Sequence, residues 1–146
     1  MSFQIEKMSS SHIKAVAALE SLCFSLPWSE NSLSSELENP LSLWLTAVDR
    51  EKLLGYIGSQ TCGEESDMMN LAVVPEARGK GIAKALLSAL EEELQRNGSH
   101  SLTLEVRASN MPAISLYEKD GFQRVGVRPG YYMSPKEDAW IYRKEF

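Results

Sequence analysis

The feature that most constrains the fold is a change of hydrophobic period near the middle of the chain. Residues 68–74 are mostly apolar, and some of them are β-branched, which is typical of a buried strand. Pro75 ends this run. From Ile82 onward the apolar residues recur at helical spacing, and Asn97-Gly98 is a typical helix C-terminus. A strand is therefore predicted to pass into a helix through the glycine-containing loop 76–81.

Short strands and helices are predicted on both sides of this unit. Strands are expected at residues 3–8, 43–48, 53–62, 102–106, 122–127 and 140–146, with an acidic turn at 63–67. Helices are expected after the serines 9–11, after Ser29, and over residues 111–120. An antiparallel start followed by strand–helix–strand units indicates an α/β (α+β) protein with a mixed sheet. No linker or repeat divides the chain, so residues 1–146 are expected to form a single domain.

Charge and composition exclude several classes of protein. The chain carries 15 Lys and Arg against 20 Asp and Glu, a net charge of −5, which disfavours a nucleic-acid partner but suits a basic protein or an amine. No apolar run is long enough to span a membrane, and the N-terminus lacks a signal-peptide core, so a cytoplasmic protein is expected. The two cysteines and two histidines show no zinc-ligand spacing, so no metal is expected.

The loop before the central helix has the composition of an anion site. Gly79 and Gly81 allow the backbone to approach a ligand, and the amides of the following helix N-terminus favour a phosphate or pyrophosphate. Arg78, Lys80 and Lys84 add positive charge to an otherwise acidic chain. The spacing matches neither a dinucleotide-binding fingerprint nor a P-loop. A tight turn with solvated charges is the alternative, and these residues alone do not decide between the two.

Longer motifs resemble one enzyme superfamily. Arg78-x-x-Gly81-x-Ala83, after the strand Leu71-Ala72-Val73-Val74-Pro75, resembles the pyrophosphate loop of the GNAT superfamily of acetyl-CoA-dependent N-acetyltransferases, although glycine is common where Ala83 stands. Further motifs are similar to those of the RimI-type N-terminal acetyltransferases: Phe24-x-x-Pro27-Trp28-Ser29-Glu30, Asn39-Pro40, residues 104–110, 113–118, Gly121-Phe122, Tyr131-Tyr132 and Glu137-Asp138-Ala139. The resemblance implies a strongly twisted, partly splayed mixed sheet with helices on both faces.

The resemblance also implies a binding site for acetyl-CoA as cosubstrate. The implied cofactor-binding residues are Leu71, Ala72, Val73, Arg78, Gly79, Lys80, Gly81, Ile82, Ala83, Lys84 and Asn110. Residues 71–73 are expected to act through backbone amides at an open strand edge, which would pair with the pantetheine arm and the thioester oxygen. An ordinary core strand fits their side chains equally well, and Asn110 is also a plausible helix N-cap.

Two residues are expected to carry the chemistry. Glu105 lies on an otherwise apolar strand, where a carboxylate is costly unless it has a partner or a use. The resemblance implies that it is the general base; an ion pair with Arg107 is the structural alternative. Tyr117 matches the family's proton donor to the leaving thiolate, and its alternative is a core aromatic.

The implied reaction is direct attack of a protein N-terminal α-amine on acetyl-CoA, without an acyl-enzyme. In the RimI-type family the acceptor is the N-terminal alanine of small-subunit ribosomal protein eighteen. Trp28, Tyr131 and Tyr132 are candidate acceptor-binding residues, although loop aromatics are often packing anchors. The alternatives are a GNAT enzyme for another amine, such as a lysine side chain or a metabolite, and a non-catalytic acyl-CoA-binding module.

Overall fold

A computed structural model describes residues 2–146, and within them seven strands form one sheet in the order β1-β2-β3-β4-β5-β7-β6. Neighbouring strands are antiparallel except for β4 and β5, which are parallel. The strands are β1 (Gln4–Lys7), β2 (Ser42–Asp49), β3 (Lys52–Cys62), β4 (Glu65–Val73), β5 (Ser101–Arg107), β6 (Gln123–Met133) and β7 (Lys136–Glu145).

The four α-helices of the described residues begin close to where the sequence predicts. They are α1 (Ile13–Cys23), α2 (Glu30–Glu38), α3 (Ile82–Arg96) and α4 (Met111–Lys119), with 3-10 turns at Ser10–His12 and Pro75–Ala77. The Ser29 hydroxyl caps α2 by accepting the Ser32 N–H at 3.1 Å. The Asn110 side chain caps α4 by accepting the Ala113 N–H at 3.3 Å. Polar residues placed before apolar periodic runs thus fix these helix starts.

Helices cover both faces of the sheet, as predicted. On β2, Leu45 and Ala47 pack into the core that α3 and α4 form on one face. Trp44 and Val48 alternate with them and pack beneath α1 and α2 on the other face. Because successive strand residues point to opposite faces, each half of this alternation needs its own helical layer. The predicted fold class, a mixed α/β sheet between two helical layers, is confirmed.

The parallel pair in the middle of the sheet is short. Only Glu65–Asp67 of β4 pair with Ser101–Thr103 of β5, and beyond these residues the two strands diverge. Next to the last β4–β5 pair, the register between β3 and β4 shifts. Ser59 of β3 pairs with Met68, whereas Gly58 pairs with Asn70, so one β4 residue between them has no partner and forms a bulge. A bulge bends its strand, which turns the rest of β4 away from β5. The predicted splay of the sheet is therefore present, and it opens at the carboxyl ends of β4 and β5.

Two boundaries differ from the sequence-based prediction. The acidic stretch 63–67 was expected to be a turn, but β4 begins at Glu65, because residues 65–67 complete ladders with both β3 and β5. The strand predicted at 122–127 continues to Met133, so Tyr131 and Tyr132 lie on β6 and not in a loop. Pro129-Gly130 interrupts the ladder there without ending it, and the Gly130 N–H donates to the Asp138 carboxylate of β7 at 2.9 Å.

No helix within residues 2–146 is long and apolar enough to cross a membrane. In the same part of the chain, no group of three or more His, Cys, Asp or Glu side chains is arranged to hold a metal ion. Cys23 and Cys62 carry free thiols.

A close approach between strands makes Gly58 sensitive to substitution. A Cβ at this position would lie 2.4 Å from ring atoms of the buried Trp44, whose indole Nε1 donates to Glu36 at 3.0 Å and so cannot easily move. We expect Gly58→Ala to lower the free energy of unfolding by about 1–3 kcal/mol in urea denaturation. The control is Gly126→Ala on β6, where the added Cβ meets Ile141 at an ordinary 3.4 Å. Equal losses in the two variants would contradict the steric explanation.

Candidate active site

The two strands that diverge lead into two helices at the rim of the opening. From the carboxyl end of β4 the chain passes through the loop 74–81 into α3, and from that of β5 it passes through residues 108–110 into α4. Ligands of sheets with parallel strands usually bind beside the carboxyl ends of those strands. The opening between β4 and β5 is therefore the first place to look for a substrate.

The loop before α3 has the backbone of an anion site. Gly79 and Gly81 have φ values of +76° and +82°, a left-handed conformation that residues with a side chain rarely adopt. Gly81 is the N-cap of α3, and the first amides of a helix have no acceptor within it. These amides and the positive end of the helix dipole are available to an anion.

The cations around the loop face solvent. Arg78, Lys80 and Lys84 are exposed, and none of them forms an ion pair with any of the residues 2–146. The Arg78 Nε donates to the carbonyl of Val73 at 3.0 Å, which fixes this side chain against the end of β4. In contrast, the side chain of Ile82 is buried in the core beneath α3, so only its amide can contribute to the loop. The half-buried Ala83 packs against the same core.

The edge of β4 is free where the resemblance requires it. Leu71, Ala72 and Val73 pair on one side with residues 55–57 of β3, and no ladder joins them to β5 on the other side. Their side chains alternate between the two cores of the molecule, as in an ordinary buried strand. The two interpretations left open by the sequence are therefore compatible, because side chains and backbone edge point in different directions.

Glu105 lies on β5 just beyond the last residue that pairs with β4. It is half-buried and shares its face of the sheet with Thr103 and Arg107, opposite the face that α3 and α4 cover. The expected alternative, a Glu105–Arg107 ion pair, is wrong: the Arg107 guanidinium instead contacts the Glu137 carboxylate at 3.2 Å. No ion pair holds Glu105 among residues 2–146.

The groups around Glu105 respond to its negative charge. The pKa of the Tyr131 phenol is raised first by hydrogen bonding to the Glu105 carboxylate and then by burial. Burial, followed by the charge of Glu105, raises the pKa of Tyr132 to about 12. Burial and then the charge of Glu105 also raise the pKa of the Asp67 carboxyl on β4. The end of the opening therefore has two carboxylates and two protonated phenols on one face.

Tyr117 reaches the same place from the other face. It lies on α4, is 6% exposed, and packs against Phe122 with ring centroids 5.6 Å apart. Its hydroxyl donates to the sulfur of Met68 at 3.8 Å, and Met68 directly follows Asp67 of the last parallel pair. Burial raises the pKa of this phenol, so it stays protonated. Tyr117 is thus a core aromatic whose phenol also keeps its proton, so the two interpretations from the sequence are compatible.

Trp28 makes the packing contacts that the sequence offered as its alternative role, and its half-buried ring keeps part of its surface exposed. It lies between α1 and α2, its ring meets Trp44 edge-on at 5.4 Å, and its backbone N–H donates to the Glu20 carboxylate at 2.9 Å. Glu20 is completely buried on α1 and also accepts hydrogen bonds from Tyr56 and from Asn70 of β4.

Sequence reasoning missed Glu20 and Asp67 near the opening, and it gave Arg107 the wrong partner. For Glu20 a signal existed, because a carboxylate follows Val16 at helical spacing on the buried side of α1. Asp67 was missed because it was assigned to a turn. The partners of Arg107 lie on the β6–β7 hairpin, far along the chain, and no local sequence pattern identifies them.

Comparison with known proteins identifies the family. Residues 13–122 match the Acetyltransferase (GNAT) family. The chain belongs to this family. The [ribosomal protein bS18]-alanine N-acetyltransferase of Salmonella typhimurium is 36% identical over 140 residues, covering 94% of this chain and 93% of that protein. The Escherichia coli protein of the same name is 35% identical with the same coverage.

Solved structures agree with the GNAT assignment. The crystal structure of the ribosomal-protein-S18-alanine N-acetyltransferase from Escherichia coli has a TM-score of 0.90 and 32% identity, and covers 99% of this chain and 94% of that one. Ard1 from Thermoplasma volcanium, at 20% identity and a TM-score of 0.91, shares the fold. The predicted superfamily, its RimI-type relatives and the expectation of an N-acetyltransferase enzyme are confirmed.

Proposed function

We propose that this GNAT enzyme transfers the acetyl group of acetyl-CoA to the N-terminal α-amine of a protein, and that the acceptor is the N-terminal alanine of ribosomal protein bS18. The divergence of β4 and β5 carries the proposal of acetyl transfer, because it joins an anion loop, an open backbone edge, a carboxylate and a buried phenol at one opening. The choice of acceptor rests on relatives of this name that match more than nine-tenths of both chains.

The residues present fit CoA. The amides from Gly79 to Lys84 and the free cations Arg78, Lys80 and Lys84 would hold its pyrophosphate. The unpaired amides of residues 71–73 would bind the extended pantetheine arm and donate to the thioester oxygen, which polarises the carbonyl. Asn110, at the N-terminus of α4, would add a contact from the opposite rim while its side chain caps the helix. When bound, acetyl-CoA supplies an activated acetyl group to this arrangement.

Glu105 would serve as the base for the acceptor amine. An α-amine has a pKa of roughly 7.7–8.0, so a usable fraction is neutral at physiological pH, whereas a lysine near ~10.4 is almost fully protonated. The carboxylates of Glu105 and Asp67 attract an ammonium group to this face, and Glu105 accepts its proton directly or through water. Tyr131, Tyr132 and Trp28 are the proposed contacts of the acceptor chain.

Tyr117 would serve as the acid. As the new C–N bond forms and the C–S bond breaks, the Tyr117 hydroxyl gives its proton to the departing sulfur and is later reprotonated from solvent. The ammonium group loses two protons in all: one passes through Glu105 to solvent before attack, and the second passes to solvent as the amide forms. The base and the acid reach the opening from opposite faces of the sheet, which separates proton removal from proton delivery.

The decisive test is acetyl-CoA turnover against a panel of acceptors: N-terminal bS18 peptide, the same peptide with a blocked α-amine, free lysine and polyamines. We expect turnover only with the free bS18 N-terminus. Preferred turnover of lysine or polyamines would favour another amine, and CoA binding without any turnover would favour a binding module.

The role of Glu105 is tested by removing its charge. Glu105→Gln should retain CoA affinity and lose about 10²- to 10⁴-fold in kcat/KM, with the largest loss below the pKa of the amine.

The loop assignment predicts a specific effect at Gly81. Valine at this position would place a β-branched residue at φ +82° and displace the amides that bind the pyrophosphate. We expect Gly81→Val to weaken CoA binding at least about 10²-fold in calorimetry. Gly98→Val is the matched control, because Gly98 has a φ of +92°, is equally open, and lies beyond the other end of α3. Unchanged CoA affinity in Gly81→Val would remove the loop from the site.

The role of Tyr117 is tested by removing its hydroxyl alone. If the phenol protonates the leaving thiolate, Tyr117→Phe should lower kcat by about 10²-fold or more with nearly unchanged acetyl-CoA binding. The loss should shrink with an acetyl thioester of a more acidic thiol, since a better leaving group needs less protonation. Tyr142→Phe on β7 is the control. It also removes one phenol hydroxyl, which donates at 2.7 Å to Glu118 of α4, the helix that carries Tyr117. Equal losses with both thioesters would make Tyr117 a positioning residue.

A further inference from the structure

The side chain of Arg107 binds the turn between β6 and β7. Its Nη1 donates to the carbonyl of Pro135 at 2.9 Å, and its Nη2 donates to the carbonyl of Ser134 at 3.2 Å. Its Nη1 also reaches the Glu137 carboxylate at 3.2 Å. These three residues form the turn and the beginning of β7, so one guanidinium on β5 binds both the turn and the first residues after it.

The same guanidinium contacts the aromatic residues next to Glu105. Its central carbon lies 4.3 Å from the centroid of the Tyr132 ring, and Tyr132 packs edge-on against Tyr131 with centroids 5.1 Å apart. Glu105 lies two residues before Arg107 and on the same face of β5. The guanidinium thus places the two tyrosine rings on the side of the sheet that carries the proposed base.

Besides Arg107, the loop after β5 supports the start of β7: the Ala108 N–H donates to the Asp138 carbonyl at 3.1 Å and the Ser109 N–H to the Glu137 carboxylate at 2.6 Å. The carbonyls of Ser134 and Pro135 are bound by Arg107. Tyr131 is 49% exposed and Met133 is 68% exposed, and no helix covers this side of β6 within residues 2–146. Where burial contributes little, the position of a segment depends on its polar contacts. A planar guanidinium can bind two carbonyls, a carboxylate and a ring at once, and the single ammonium of a lysine cannot.

We propose that Arg107 is the positioning residue of the acceptor site: it holds the β6–β7 hairpin so that Tyr131 and Tyr132 form a wall beside Glu105. This inference rests on the proposed function of the same site. Arg107 acts through the tyrosines and takes no part in proton transfer. Its loss should therefore affect the acceptor and leave acetyl-CoA binding, on the other rim of the opening, largely unchanged.

The chain provides a matched control for this arginine. Arg124 of β6 lies over the ring of Trp140 at the same 4.3 Å, but Trp140 packs into the core on the opposite face of the sheet. Arg107→Lys and Arg124→Lys each remove one guanidinium–aromatic contact and keep the charge. Only the first removes the contacts to the hairpin tip.

The experiment measures steady-state kinetics with the bS18 peptide and amide hydrogen exchange of residues 129–136 for both variants. For Arg107→Lys we expect the KM for peptide to rise about tenfold or more, the KM for acetyl-CoA to stay within about twofold, and hairpin exchange to accelerate about tenfold or more. Arg124→Lys should change none of these. Adding Arg107→Lys to Tyr132→Leu should raise the peptide KM little further than Tyr132→Leu alone, because the arginine acts through that ring.

The possible failures are distinguishable. An active wild-type enzyme whose Arg107→Lys variant matches Arg124→Lys in peptide KM and in hairpin exchange would overturn the inference. If the wild type acetylates no acceptor of the panel, the proposed function fails, and hairpin exchange alone then decides whether Arg107 holds the tip. If Arg107→Lys does not fold, Tyr132→Leu replaces it: an unchanged peptide KM in that variant would also overturn the inference.

Discussion

The arrangement of the site depends on where β4 leaves β5, and the buried carboxylate of Glu20 accounts for much of this. Asn70 of β4 donates to both Glu20 oxygens, at 3.0 and 2.8 Å, so beyond the bulge β4 is bonded to α1 and not to β5. A buried carboxylate is tolerated only when donors surround it, and Tyr56 and the Trp28 N–H provide the others. Burial and the negative charge of Glu20 raise the pKa of Tyr56, which keeps that phenol a donor.

Because the opening passes through the sheet, each face can serve a different part of one reaction. The face beneath α4 is closed and supplies a buried phenol, Tyr117. The other face, beside Glu105, is open and rich in polar groups, which suits an acceptor that must arrive from solvent and leave again. The loop before α3 lies at the rim, where a long anionic group can remain in water while its reactive end enters the sheet. A single break in one ladder would therefore separate the proposed donor site from the proposed acceptor site.

How far the sequence predicts this structure depends on the range of the interactions involved. The starts of α2 and α4, the end of α3 and the glycine loop follow from local chemistry, since a cap or a left-handed glycine involves only residues close in sequence. The start of β4 at Glu65 and the length of β6 were not predicted, because ladders with distant strands override acidic and glycine-containing stretches. The partners of Arg107 lie about thirty residues away, so only the folded chain reveals that it does not pair with Glu105. The roles of Glu105, Tyr117 and the loop in catalysis remain predictions.

The three-residue ladder between β4 and β5 also has a consequence for the energetics of the whole molecule. It is the seam between a four-stranded antiparallel half, β1 to β4, and a three-stranded half, β5 to β7. Few backbone hydrogen bonds cross this seam, so the shared core, which contains residues of both halves, carries most of the coupling between them. A molecule lodged in the seam adds contacts to both sides, and its binding free energy becomes part of the cohesion of the sheet by mass action. Under the proposed function, the cosubstrate would therefore also brace the sheet, and the two halves would be most free to move against each other between turnovers.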